Sequence, residues 1–129
     1  MATGFPAATG DVLSAAMFNG LTAFTVGTAN TADYTAVLAD QYQVLEIMNK
    51  ATAIAFKIPT NASVAFPVGT AITILNIGVG VCTISAVTSG TTTILSGGTV
   101  PAAPTLAQYK SAVCIKTGTD TWYVVGGIA

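Results

Sequence analysis

From Asp33 onward, apolar and polar residues alternate with a period of two, the spacing of a strand that buries one face. The alternation predicts strands over 33–38, 42–48, 53–58, 70–76, 81–87, 91–95, 111–117 and 121–125. In "TAIAFKI", Ile54, Phe56 and Ile58 fall on one face, and Ala53, Ala55 and Lys57 on the other. The stretch "SAVCIKTGTDTWYVV" predicts a hairpin turning at Thr117-Gly118-Thr119-Asp120. In its second strand Trp122 and Val124 share one face, Tyr123 and Val125 the other. Both faces are apolar, so this strand is expected to be buried on both sides. Gly97-Gly98, Pro101 and Pro104 make 96–105 a loop. Short strands at close spacing with Gly and Pro punctuation predict an all-β fold: an antiparallel β-sandwich, jelly-roll-like, over 32–129.

Residues 1–31 follow another pattern and are expected to form an N-terminal arm, being too short for a core of their own. One short helix is predicted there: Asp11 caps its start, Leu13, Ala16 and Met17 share a face, and Gly20 suits its end. "TAFTVGTANTA" then reads as an extended connector. Phe5, Met17, Phe18, Leu21 and Phe24 need a surface to cover them and are the candidate partner-binding residues.

Composition sharpens the picture. The hydrophobic fraction is 52% and the charged fraction only 7%, against about 25% in an ordinary globular domain. No charge occurs between Lys57 and Lys110. With so little charge, an exposed surface tends to associate, which predicts extensive cover by partners. A net charge of −1 and the lack of Arg give no footprint for nucleic acid or for an anionic membrane. The most apolar window, 71–87, is interrupted by Thr73, Asn76, Gly78, Gly80, Thr83 and Ser85 and does not read as a membrane helix. The start lacks a basic and then apolar leader pattern. Cys82 and Cys114 are expected as reduced, buried thiols.

Candidate chemistry is sparse. Neutral-pH acid–base work most often uses His, and there is none. Asp40 and Glu46 could in principle pair as glycosidase carboxylates. The structural reading fits the pattern better: Asp11 caps a helix, Asp33 and Asp40 flank a strand, Asp120 builds a turn, and Glu46 meets Lys50 or Lys57 across a sheet. "GVG" at 78–80 follows a strand, but no helix follows it, which argues against a phosphate loop. Tyr34, Tyr42, Tyr109, Trp122 and Tyr123 could stack sugars, though aromatics in strands are more often core or interface anchors. The expectation is therefore no enzyme activity, no catalytic residues, no cofactor and no metal.

The segments "YTAVLAD", "EIMN", "IPTNASVAFPVGTAITILNIGVG" and "TDTWYVVGGIA" resemble a small β-domain of tailed-bacteriophage virion proteins, found on heads and in tail fibres. The likeness runs over about 33–129 and rests on Pro59, Asn61, Ser63, Val64, Phe66, Pro67, Gly69 and Thr70 in the middle turn and on Trp122 in the closing hairpin. It departs from that pattern over 85–107. "TGDVLSAAMFNGL" is similar to the lead-in before fibre modules. The resemblance implies a virion structural protein: a capsid decoration (cement) protein, homotrimeric, that stabilises the head. Its implied partners are further copies of itself and the major capsid protein or other virion proteins, with no nucleic acid or membrane. Its implied place is the capsid surface, after assembly in the bacterial cytoplasm. The alternative is a tail-fibre or tail-tip module that binds a bacterial surface glycan.

Overall fold

A computed structural model describes residues 24–97 and 103–128. The helix expected near 11–20, and Phe5, Met17, Phe18 and Leu21, lie outside the described residues. The described chain is all-β apart from one short 3-10 turn, η1 (Leu38–Gln41). Ten strands occur among the described residues: β1 (Thr25–Val26), β2 (Tyr34–Thr35), β3 (Val44–Met48), β4 (Ile54–Ile58), β5 (Ala71–Asn76), β6 (Cys82–Ala86), β7 (Thr93–Ser96), β8 (Thr105–Leu106), β9 (Lys110–Gly118) and β10 (Thr121–Gly126).

Up to β9 the chain changes sheet at every step. Odd strands and β10 build a six-stranded sheet ordered β1-β3-β5-β9-β10-β7; even strands build a four-stranded sheet ordered β2-β4-β6-β8. Because the chain crosses to the other sheet and returns, each newcomer runs parallel to its predecessor: β1, β3 and β5 in one sheet, β2, β4 and β6 in the other. Leu45 pairs with Thr73 and Ile54 with Cys82, an equal offset, so β5–β6 stack on β3–β4 as one whole coil on another. This is the nearest-neighbour stacking of a solenoid, closed here by β9, which runs antiparallel to β5, and by β10, which runs antiparallel to β9.

The sheets are therefore mixed, where an antiparallel sandwich was expected. Five pairings are parallel and three antiparallel among the described residues. Period-two alternation reports which face is buried and carries no information about a neighbour's direction.

The inward faces of both sheets meet in one core that includes Met48, Ile72, Ile74, Cys114 and Val124 from one side and Ile54, Phe56, Ile58, Cys82 and Ile84 from the other. Trp122 is 1% exposed and meets Phe66 edge to face at 5.5 Å. Cys82 and Cys114 are buried free thiols. Burial pushes Cys82 up to about 11 and Cys114 higher still, which disfavours the reactive thiolate.

Two close approaches explain "GVG". The turn after β5 lies directly on the turn after β3: Gly78 N donates to Met48 O at 3.3 Å and Gly80 N to Lys50 O at 2.9 Å. A Cβ on Gly78 would meet the Lys50 backbone, and one on Gly80 the Thr52 carbonyl. Buried Asn76 completes the joint, donating to Gly80 O and Leu106 O, both at 2.9 Å, and accepting from Gly78 N at 3.1 Å.

Other differences are local. The first predicted strand is cut to two residues because the Asp40 carboxylate accepts from Val37 N at 2.9 Å and turns the chain into η1. β3 begins at 44 rather than 42, after Gln43 at φ 57. β1 and β8 were not expected; each has only two residues, too few for a pattern. The last part of the expected arm lies along β3: Thr25 N donates to Gln43 O at 2.8 Å, Gly27 N to Leu45 O at 3.1 Å and Asn30 N to Ile47 O at 2.8 Å.

Candidate functional site

The ionisable side chains that the inward pattern traps are structural. Lys116 follows Ala112 and Cys114 on the buried face of β9 and is 2% exposed. Its Nζ donates to Asn61 Oδ1 at 2.6 Å and to Phe66 O at 2.7 Å. Burial pushes its pKa down, and the Asp120 charge opposes that shift. Asp120 accepts from Asn61 N at 2.8 Å and from Thr92 Oγ1 at 3.4 Å, so one lysine and one aspartate tie the 59–70 segment to the closing hairpin. Asn61 thus acts as a distant anchor rather than a local turn-former; the local turn is made by Thr60, whose carbonyl accepts from Ser63 N at 3.1 Å.

A second cluster joins Asn30, Tyr34, Asp40 and Glu46. Tyr34 OH donates to Asp40 Oδ2 at 2.8 Å, and Asn30 Nδ2 to Glu46 Oε1 at 3.1 Å. Asp40 and Glu46 are both buried. Desolvation, and then the hydrogen bond with Asp40, push Glu46 up to about 7; Tyr34 is pushed up by desolvation first and then by its bond to Asp40. Glu46 therefore does not meet Lys50 or Lys57. It faces inward, and Lys57 instead lies 3.9 Å from Asp33 at the surface. The two carboxyl groups share hydrogen-bonding within the core rather than flanking a cleft, which is not the geometry of a glycosidase pair. No group of three or more His, Cys, Asp and Glu that could hold a metal occurs among the described residues.

The aromatic candidates do not converge. Trp122 is core, and Tyr34 is tied to Asp40. Tyr42 and Tyr109 are exposed, but Tyr42 precedes β3, whereas Tyr109 N bonds Asn76 O beside the other end of β3. A cavity of about 350 Å³ between β6 and β7 is lined by Ser85, Ala86, Ser89, Thr92 and Ile94, with no ionisable group.

What remains is a surface. Outward positions of the four-stranded sheet are polar apart from Ala55: Thr35, Lys57, Thr83, Ser85 and Thr105. Those of the six-stranded sheet are largely apolar, with Thr73, Thr93, Ser111 and Thr117 as uncharged polar positions among them. One row runs Val26–Leu45–Thr73–Val113–Val125 through directly paired positions, and another Ala71–Ile115–Tyr123–Leu95. Ile47 and Leu75 lie beside them. No outward residue of this sheet is charged among the described strands. Tyr123 is 44% and Val125 48% exposed, so β10 is not buried on both sides as its sequence suggested; its second face opens outward. Phe24, the one expected partner-binding residue in the described chain, is 54% exposed and enters this sheet at its β1 edge. Arm reasoning pointed to Phe24 but missed the face; the apolar outward residues of 45–47, 71–75, 113–115 and 123–125 were its signal.

No protein-family model matches the chain, and no curated protein or solved structure matches it significantly.

Proposed function

We propose that this chain is a structural protein of a tailed-bacteriophage virion, a homo-oligomeric capsid decoration (cement) protein that stabilises the head and sits on the capsid surface. The sequence resemblance over 33–129 supplies the virion class. The observation that carries the structural reading is the uncharged apolar outer face of the six-stranded sheet, with Phe24 at its edge. Apolar surface of this kind marks a contact between proteins rather than a reactive centre. The two sheets around one core form, in this reading, a sandwich that resists deformation while its outer face and arm make contacts. Trimeric state follows the resemblance alone. The tail-tip alternative needs aromatic and polar groups gathered in one concave patch, and the scattered tyrosines give it less support.

The test is to locate the chain in images of purified particles, using an antibody or a tag. Density on the head supports the proposal. Label confined to the tail tip, or absent from particles, overturns it.

A further inference from the structure

The six-stranded sheet presents outward the kind of surface that sheets normally place inside. Parallel strands are almost always covered on both faces. Here β3 and β5 are parallel and carry Leu45, Ile47 and Leu75 outward, while Val113 and Val125 continue the apolar row. The four-stranded sheet, built by the same crossovers, is polar outside. The difference is therefore a property of one face and not of the architecture.

We propose that this face is covered by a second copy of the same chain, laid sheet against sheet. The inference rests on the homo-oligomeric part of the function proposed above and not on its trimeric part, since a face paired with itself closes at two copies. Three physical points select a copy over another partner. First, a face that packs on itself brings like residues close together, so any charge there would meet its own sign; this face has none among its described strands. Second, two copies of one sheet share the same twist, and equally twisted sheets stack about 10 Å apart with their strands rotated by about 30°. A partner of different shape would have to reproduce that curvature. Third, the size is suitable. Six strands at about 4.8 Å spacing, averaging about five residues at about 3.3 Å each, give a flat footprint of roughly 500 Å². That is already over half of the roughly 800 Å² per partner that stable interfaces bury, before the relief of the side chains is counted.

Sedimentation of the full chain at micromolar concentration tests this, with Val125→Lys and Tyr123→Lys as face variants and Val79→Lys as a control. Val79 is exposed on the turn between β5 and β6 and belongs to neither sheet. The expected result is an oligomer for the parent chain and for V79K, and a fall to single-chain mass for V125K and Y123K with unchanged far-UV circular dichroism. Both face positions are nearly half exposed, so a lysine there can reach water without disturbing the core. A parent chain at single-chain mass overturns the proposal and leaves residues 1–23 as the candidate cover. An oligomer that both lysines leave intact overturns it too, and leaves the face for a different protein such as the capsid. Absence from particles with the oligomer intact would sink the virion reading and leave this one standing.

Discussion

The Lys116 ammonium reaches from the buried face of β9 to the side chain of Asn61, 2.6 Å away, and so fixes a segment that otherwise lies outside both sheets. The same ammonium donates to Phe66 O, and Phe66 in turn covers Trp122. The 59–70 segment is thus held by one buried charge, one carboxylate and one aromatic pair, beside the backbone bonds that Gly69 and Thr70 make with Lys116.

Asn61→Ala removes an acceptor from a buried cation. The loss of a hydrogen bond to a charged group costs about 1.5–3 kcal/mol. Thermal or urea unfolding of the variant should show a loss in that range. A loss within error would mean that water replaces Asn61 freely and that the anchor contributes little.

Trp122→Ala should cost about 3–5 kcal/mol, because the ring is fully buried and its removal opens a cavity beneath Phe66. Gly80→Ala should cost more than about 2 kcal/mol, since its new methyl would strike the Thr52 carbonyl in the turn below. Denaturant midpoints give both values. A Gly80→Ala variant as stable as the parent would show that the coils do not stack as closely as described.

The strands were legible in the sequence because a buried face leaves a period of two, and β3 to β7, β9 and β10 fall close to their predicted places. Direction was not legible: Leu45 beside Thr73 and Ile54 beside Cys82 depend on where the chain crosses, which alternation does not encode. The polar anchors were half legible. Lys116 shares parity with Ala112 and Cys114, and Glu46 with Met48, so each is a charge on an inward face. That signal was present, and reading Glu46 as a surface partner of lysine passed over it. Tyr123 and Val125 show the opposite case, in which an apolar outward face was mistaken for burial within one chain.

Glu46 makes stability depend on pH in an unusual sense. Its folded pKa of about 7 lies above its ordinary value of 4.5, so the folded state holds a proton that the unfolded chain releases. The stabilisation is fully present below about pH 4.5, falls as pH rises toward 7, and is flat beyond. The loss over that window should be on the order of 1–3 kcal/mol. Glu46→Gln mimics the protonated acid, can keep the bond from Asn30, and should flatten this part of the profile. Melting temperatures from pH 4.5 to 8 compare the two. A parent chain that gains stability over the same window would show that Glu46 is ionised in the fold.

The arm divides at Phe24. Residues 25–30 are hydrogen-bonded along β3, and Asn30 also donates to Glu46 and to Ile47 O, both at 3.1 Å. Removing residues 1–31 therefore strips an edge strand and leaves the Glu46 carboxyl without that donor. It should lower stability by about 1–3 kcal/mol. Removing residues 1–23 breaks none of these bonds and should leave the melting temperature of the body unchanged. Under the proposed function the shorter deletion still abolishes incorporation into particles, because Phe5, Met17, Phe18 and Leu21 leave with it and Phe24 alone offers little apolar area. Calorimetry and particle pelleting of both truncations separate the roles. If the 1–23 deletion fails to fold, that segment belongs to the body. If it decorates particles at parental occupancy, attachment resides on the described surface, and the outer face of the six-stranded sheet becomes the first place to look for the capsid contact.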